Sequence, residues 1–177
     1  MEYWIVFRAD DGVELVRGSS PTAGTAAAQV LLEGQDLMVV PEAAVRTLPA
    51  DLQVIQQDLH EQVDREAEAA RSEFLTAGAG MALVYLLKQR EAAALADDED
   101  APAPLLSAEA AAIGTDVATL AAQVRVADAR WLQAAALIEA ARRGAKVAIS
   151  QATSLPALKA AASIDWRGVV SALSIGG

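Results

Sequence analysis

No cysteine occurs in the 177 residues, so disulfides, thiolate zinc sites and cysteine nucleophiles are excluded. Histidine occurs once, at His60. With one imidazole and no thiol, the usual nucleophile–base pairs cannot form. Its helical neighbours Gln56, Gln57 and Asp64 make a poor ligand set, so a solvated surface histidine is expected. Aromatics supply only 4% of the chain, and alanine supplies much of its apolar content. Alanine favours helix but adds little core volume, which suits long, closely packed helices better than a thick core. Basic charge is scarce as well. A net charge of −10 argues against nucleic acid, whose phosphates require a basic face. Met1-Glu2-Tyr3-Trp4 lacks the basic start and apolar run of a signal peptide. The uncharged run from Gly18 to Leu32 is too short and too broken to span a bilayer. The expectation is a protein made in the cytoplasm, without membrane insertion.

What is present is a seam. Between Val117 and Ala152 apolar residues recur alternately three and four apart. One column reads Val117, Val124, Trp131, Ile138, Ala145, Ala152; the other reads Leu120, Ala127, Ala134, Ala141, Ala148. This spacing marks a helix that buries a narrow stripe against other helices, and its alanines let a neighbouring backbone approach closely. At 1.5 Å per residue the rod is about 54 Å long. Charge divides along the chain. Residues 51–110 carry 13 acidic and 4 basic side chains, and residues 111–177 carry 4 and 7. Helices from the two stretches therefore attract one another, within one chain or between chains, setting register more than strength.

The first 48 residues have a different pattern. Tyr3–Arg8 reads as a strand, Asp10-Asp11-Gly12 as a turn, and Val13–Arg17 as a second strand. Gly18-Ser19-Ser20-Pro21 is expected to break it. A short helix is expected over Thr22–Leu31, then a third strand over Gln35–Val40 ended by Pro41. This is a ββαβ module too small to stand alone. From Pro49 the period becomes helical, with Leu52, Ile55, Leu59, Val63, Ala67, Ala70 and Phe74 on one face. Thr76–Gly80 interrupts, and Met81–Leu95 resumes, with Val84, Leu87 and Glu91 on one side. Residues 96–104 read as an acidic, proline-containing linker. Ser107–Ile113 is a short helix stopped by Gly114. Thr115 is expected to cap the long helix, and Ser154 a last one over Pro156–Ala162. The fold class is α+β, predominantly α: a β-rich docking module at 1–48 and a helical domain at 49–177, closing as a hairpin or coiled-coil bundle.

Catalytic chemistry is not apparent. Asp97-Asp98-Glu99-Asp100 lacks the glycine turns and alternating ligands of a calcium loop. Gly78-Ala79-Gly80 follows a helix rather than a strand and lacks the Lys-Ser/Thr end of a P-loop, so it reads as a helix–helix corner. No catalytic, cofactor or metal residue is expected. The contact candidates are Trp131, Val124, Ile138, Ala127, Ala134 and Ala141 on the seam, with Trp4 and Trp166, each either core or partner contact. Arg142, Arg143 and Lys146 suit the negative end of the long helix and can pair with the acidic helix.

One pattern is familiar. Asp64-Arg65-Glu66-Ala67-Glu68-Ala69-Ala70-Arg71, Phe74-Leu75-Thr76-Ala77-Gly78-Ala79-Gly80, Tyr85, Lys88 and Glu91 resemble small proteins encoded in the tail modules of tailed bacteriophages and prophages. Pro104-Leu105-Leu106, Ala108-Glu109, Trp131, Ile138-Glu139, Arg142 and Lys146 continue the resemblance, which covers roughly residues 1–165. The family more often has Pro at the position of Ala77 and Gln at that of Met81. The resemblance implies a virion structural component of the tail, tail fibre or tail tip, with no catalytic residues to carry over. It would act with other tail proteins and with copies of itself. The alternative is an assembly chaperone for the tail or tail fibre, absent from the mature virion. A cell-wall hydrolase is the least supported class.

Overall fold

The computed structural model describes residues 1–73 and 79–171. Three strands come first: β1 (Glu2–Arg8), β2 (Glu14–Ser20) and β3 (Gln35–Val40). They form one antiparallel sheet in the order β2-β1-β3. Among the described residues six helices follow: α1 (Leu52–Ser72), α2 (Ala79–Asp97), α3 (Pro104–Ile113), α4 (Val117–Gln151), α5 (Leu155–Ala162) and α6 (Trp166–Ser171). The class is α+β, predominantly α.

Two expectations for the N-terminal module need correction. β2 does not break at Gly18-Ser19-Ser20 but continues through them, with Gly18 opposite Trp4 in the ladder. A Cβ at Gly18 would lie 2.2 Å from the Trp4 ring, so glycine is what allows the indole to lie flat there. The helix expected over Thr22–Leu31 shrinks to a 3₁₀ turn at Ala26–Ala28. Gly24 sits at φ +82, a left-handed conformation that a helix cannot contain. Val30 and Leu32 remain 92% and 70% exposed, so no buried stripe rewards helix formation. The module is ββ-turn-β rather than ββαβ.

The chain divides into two compact units, Met1–Glu68 with Glu139–Trp166, and Ala69–Ile138 with Arg167–Gly177. The sheet is small, and its inner face needs helical cover. In the first unit Ile5, Phe7, Met38 and Val40 pack with Ile55, Leu59 and Val63 of α1, Ile149 of α4, and Leu155 and Leu158 of α5. The opposite sheet face buries Trp4 and Val6 beneath Ala26 and Leu37. In the second unit the buried cluster is Ala92, Ala103, Leu106, Ala110, Leu120 and Ala121.

Local signals decide most helix ends. Gly114 closes α3 in the left-handed conformation at φ +73, as a C-terminal glycine does. Ser154 Oγ accepts the Ala157 amide at 3.4 Å and caps α5. α3 begins at Pro104, ahead of the expected Ser107, because proline fits the first helical turn. α2 runs on to Asp97 and takes in the start of the expected linker. The cap of α4 is Asp116 rather than Thr115. Its carboxylate accepts the Thr119 amide and hydroxyl, each at 2.7 Å. The interruption expected over Thr76–Gly80, with Phe74, lies largely outside the described residues; Ala79 and Gly80 already belong to α2.

Candidate functional site

Within the first unit α1 and α4 meet through charge as well as apolar packing. Asp64 of α1 accepts Arg142 Nη1 and Lys146 Nζ of α4, each at 2.6 Å. Glu139 holds the same Arg142 from one turn away at 2.8 Å. Lys146 and Arg142 keep the Asp64 carboxyl below its ordinary range, while Glu139 and Asp64 raise the Arg142 guanidinium. The expected pairing of the acidic and basic stretches thus occurs within one chain. Arg143 stays exposed. Gln56 of α1 donates to the Ile149 and Ala152 carbonyls, both at 3.1 Å. Those carbonyls lie at and just past the end of α4, and the Ile149 carbonyl also accepts the Ala152 amide at 3.2 Å.

His60 departs from expectation. It is half-buried rather than solvated, and its Nε2 lies 3.1 Å from Ser150 Oγ. A serine–histidine pair has therefore formed after all. Ser150 donates its single proton to the Lys146 carbonyl at 3.0 Å, so the contact with His60 requires Nε2–H as donor. His60 Nδ1 is then an acceptor, buried without a partner. The pair joins α1 to α4.

The second unit is joined by another polar set. Glu91 of α2 accepts the Leu105 and Leu106 amides at 3.2 and 2.9 Å, capping α3 where Ala103 offers no side chain. Lys88 pairs with Glu109, Gln89 donates to Asp128 at 2.5 Å, and Arg125 donates to the Ala92 carbonyl at 2.9 Å. Seven large aliphatics among the described residues of this unit are exposed: Leu83, Leu86, Leu87, Ile113, Val126, Leu132 and Leu137. Leu87, which shares one side of α2 with Val84 and Glu91 by spacing, is exposed while those two are half-buried.

The seam is half right. Every member of its first column is buried or half-buried, with Ile138 fully enclosed and Val124 and Trp131 half-buried. In the second column Leu120 and Ala134 are buried and Ala141 is half-buried, but Ala127 and Ala148 are exposed. Asp128 and Ile149 turn inward in their place. At those two levels the neighbouring residue faces the packing partner instead: Asp128 accepts Gln89 of α2, and Ile149 enters the core of the first unit.

Trp4 and Trp166 are used inside the first unit. Trp4 is buried against the sheet, and Trp166 packs on the main core while its Nε1 donates to Glu66 at 2.9 Å. An open groove of about 500 Å³ borders the β1–β2 turn and the start of α5, lined by Val13, Leu48, Leu52, Ser154 and Leu155 among others. The cis peptide Leu48–Pro49 forms part of its wall. Among the described residues no group of three or more His, Asp or Glu side chains is placed to hold a metal. Nor, among them, is any single helix long and apolar enough to cross a membrane.

Sequence reasoning missed the roles of Gln56, Glu91 and Ser150. Glutamine and glutamate at a helix surface carry no signal that they will cap a different helix. Comparison with known proteins gives no match to any family model, curated protein or solved structure.

Proposed function

We propose that this chain is a non-catalytic structural component of a bacteriophage tail, working by helix packing and docking to other tail proteins. The observation that carries the packing role is the surface of the second unit, where seven large aliphatics lie outside a cluster built mostly of alanine. Partner helices laid against this unit would cover those side chains.

The tail assignment rests on the resemblance. Its residues are also the ones that join helices: Asp64 with Arg142 and Lys146, Lys88 with Glu109, and Glu91 with the Leu105 and Leu106 amides. The shared pattern is therefore one of helix pairing, as a structural protein requires. Mass spectrometry of purified phage particles is the test. The chain is expected among virion proteins, and its absence from mature particles overturns the reading. Co-purification with a fibre subunit from infected cells, without virion copies, would favour the assembly-chaperone alternative, which the same exposed aliphatics would serve.

A further inference from the structure

The connection between β2 and β3 crosses the outer face of the sheet while burying little of itself. Among residues 21–34, all of them described, Ala26 alone is buried. It sits against Trp4 and Val6, with Leu37 alongside. The connection carries three larger aliphatics that could have clamped it down. Val30, Leu31 and Leu32 are instead 92%, 36% and 70% exposed. Apolar burial therefore holds it shut through one methyl group.

A carboxylate supplies the rest. Glu2, at the start of β1, accepts the Gly24 amide at 3.2 Å and the Ala26 amide at 2.9 Å, one through each oxygen. Such charge-assisted bonds are stronger than neutral ones, but the Gly24 contact is exposed and water competes for it. Gly24 and Gly34 flank the segment at φ +82 and +77. Among the described residues, a Cβ at either would meet nothing within 4 Å, so the backbone can rotate there freely. The Ala9 amide holds the Gly34 carbonyl at 2.9 Å and fixes that end to the sheet.

We infer that residues 24–34 form a strap that opens while the sheet beneath stays folded, with the Glu2 carboxylate as its latch. Segments with few buried apolar contacts open locally, at a cost well below that of global unfolding. Opening bares Trp4 and Val6. Across the ladder Trp4 pairs with Val39 and Val6 with Val16, which are already 50% and 57% exposed. The open strap therefore joins two separate valines, through the indole, into one apolar face spanning all three strands. Closed, it withholds that face from contact. The inference stands apart from the tail assignment and does not depend on it.

Oxidation by limiting N-bromosuccinimide, read by peptide mass spectrometry, separates Trp4 from Trp131 and Trp166 in the full chain. Where opening and closing are fast, the Trp4 rate follows the open population. That rate is expected to stay nearly flat in urea below the unfolding transition, because the opening exposes little surface. Glu2→Ala is expected to raise it by about fivefold or more, with unchanged circular dichroism. Ala26→Gly, which removes the methyl and keeps the latch, should act in the same direction. The chain has no cysteine, and Thr25 Oγ1 lies 2.9 Å from Ser20 Oγ. A Ser20→Cys, Thr25→Cys disulfide should therefore slow the oxidation of Trp4, and a reductant should restore it. A Trp4 rate that climbs with urea as steeply as global unfolding overturns the strap, since the indole would then be bared only with the sheet. So does a rate unmoved by both Glu2→Ala and Ala26→Gly, or one that the closed disulfide leaves unchanged.

Discussion

The two units bury different kinds of residue. The first encloses Phe7, Ile5, Ile55, Ile149 and Leu158 between a sheet face and three helices. The buried cluster of the second, among its described residues, is two leucines and four alanines between helices. Large side chains fill space that secondary structure leaves open, whereas alanine fills almost none and requires the backbones themselves to close up. The first unit should therefore fail when volume is removed, and the second when volume is added.

Phe7→Ala attacks the first unit where it is fullest and should cost about 3–5 kcal/mol, read as a shift in the urea midpoint. A loss below 1 kcal/mol would mean the sheet face is not the main core. Ala134→Leu makes the opposite change at a fully buried position of the second unit. Overpacking should cost about 1–3 kcal/mol, whereas Gln133→Leu, next to it on the exposed side, should stay within about 0.5 kcal/mol. Equal effects from the two would show that α4 does not pack through Ala134. Gly18→Val tests whether the first unit also contains a site intolerant of added volume. It drives a side chain into the Trp4 ring and should cost about 1–3 kcal/mol, with a changed tryptophan emission.

Asp64→Asn has the smallest expected effect, about 1 kcal/mol or less near neutrality, because the carboxylate is half-exposed. Its sign with pH is fixed. Lys146 and Arg142 hold the Asp64 carboxyl below its ordinary range. The folded state therefore binds its proton less readily than the unfolded chain, and the contact stabilises above about pH 4. As pH falls through the lowered folded value the advantage is lost. Urea titrations of wild type and Asp64→Asn should converge below about pH 4, and a gap that widened there would refute the assignment.

Much of the fold was legible from local signals. The apolar face of α1 from Leu52 to Ala70 is buried as its 3.6-residue period requires. β3 has the expected limits, because Pro41 ends it, and Gly114 and Ser154 punctuate helices as their chemistry demands. The failures have a common form. Gly18 looked like a breaker because its partner Trp4 lies fourteen residues away. Thr115 looked like a cap because serine, threonine and aspartate compete for that place, and only backbone geometry chose Asp116. Ala127 and Ala148 looked buried because spacing does not say from which side a neighbour packs, and Asp128 and Ile149 face the partners at those levels.

The sequence by itself determined which segments are strand or helix, and that acidic and basic stretches attract, because these depend on periodicity and on charge summed over many residues. Only the tertiary structure decided which carboxylate meets Arg142, that Gln56 and Glu91 cap helices other than their own, and that His60 lies beside Ser150. Each of those depends on two or three side chains brought together across long intervals of chain, at separations of 2.6–3.2 Å. A shift of one position around a helix, about 100°, is enough to exchange one partner for another.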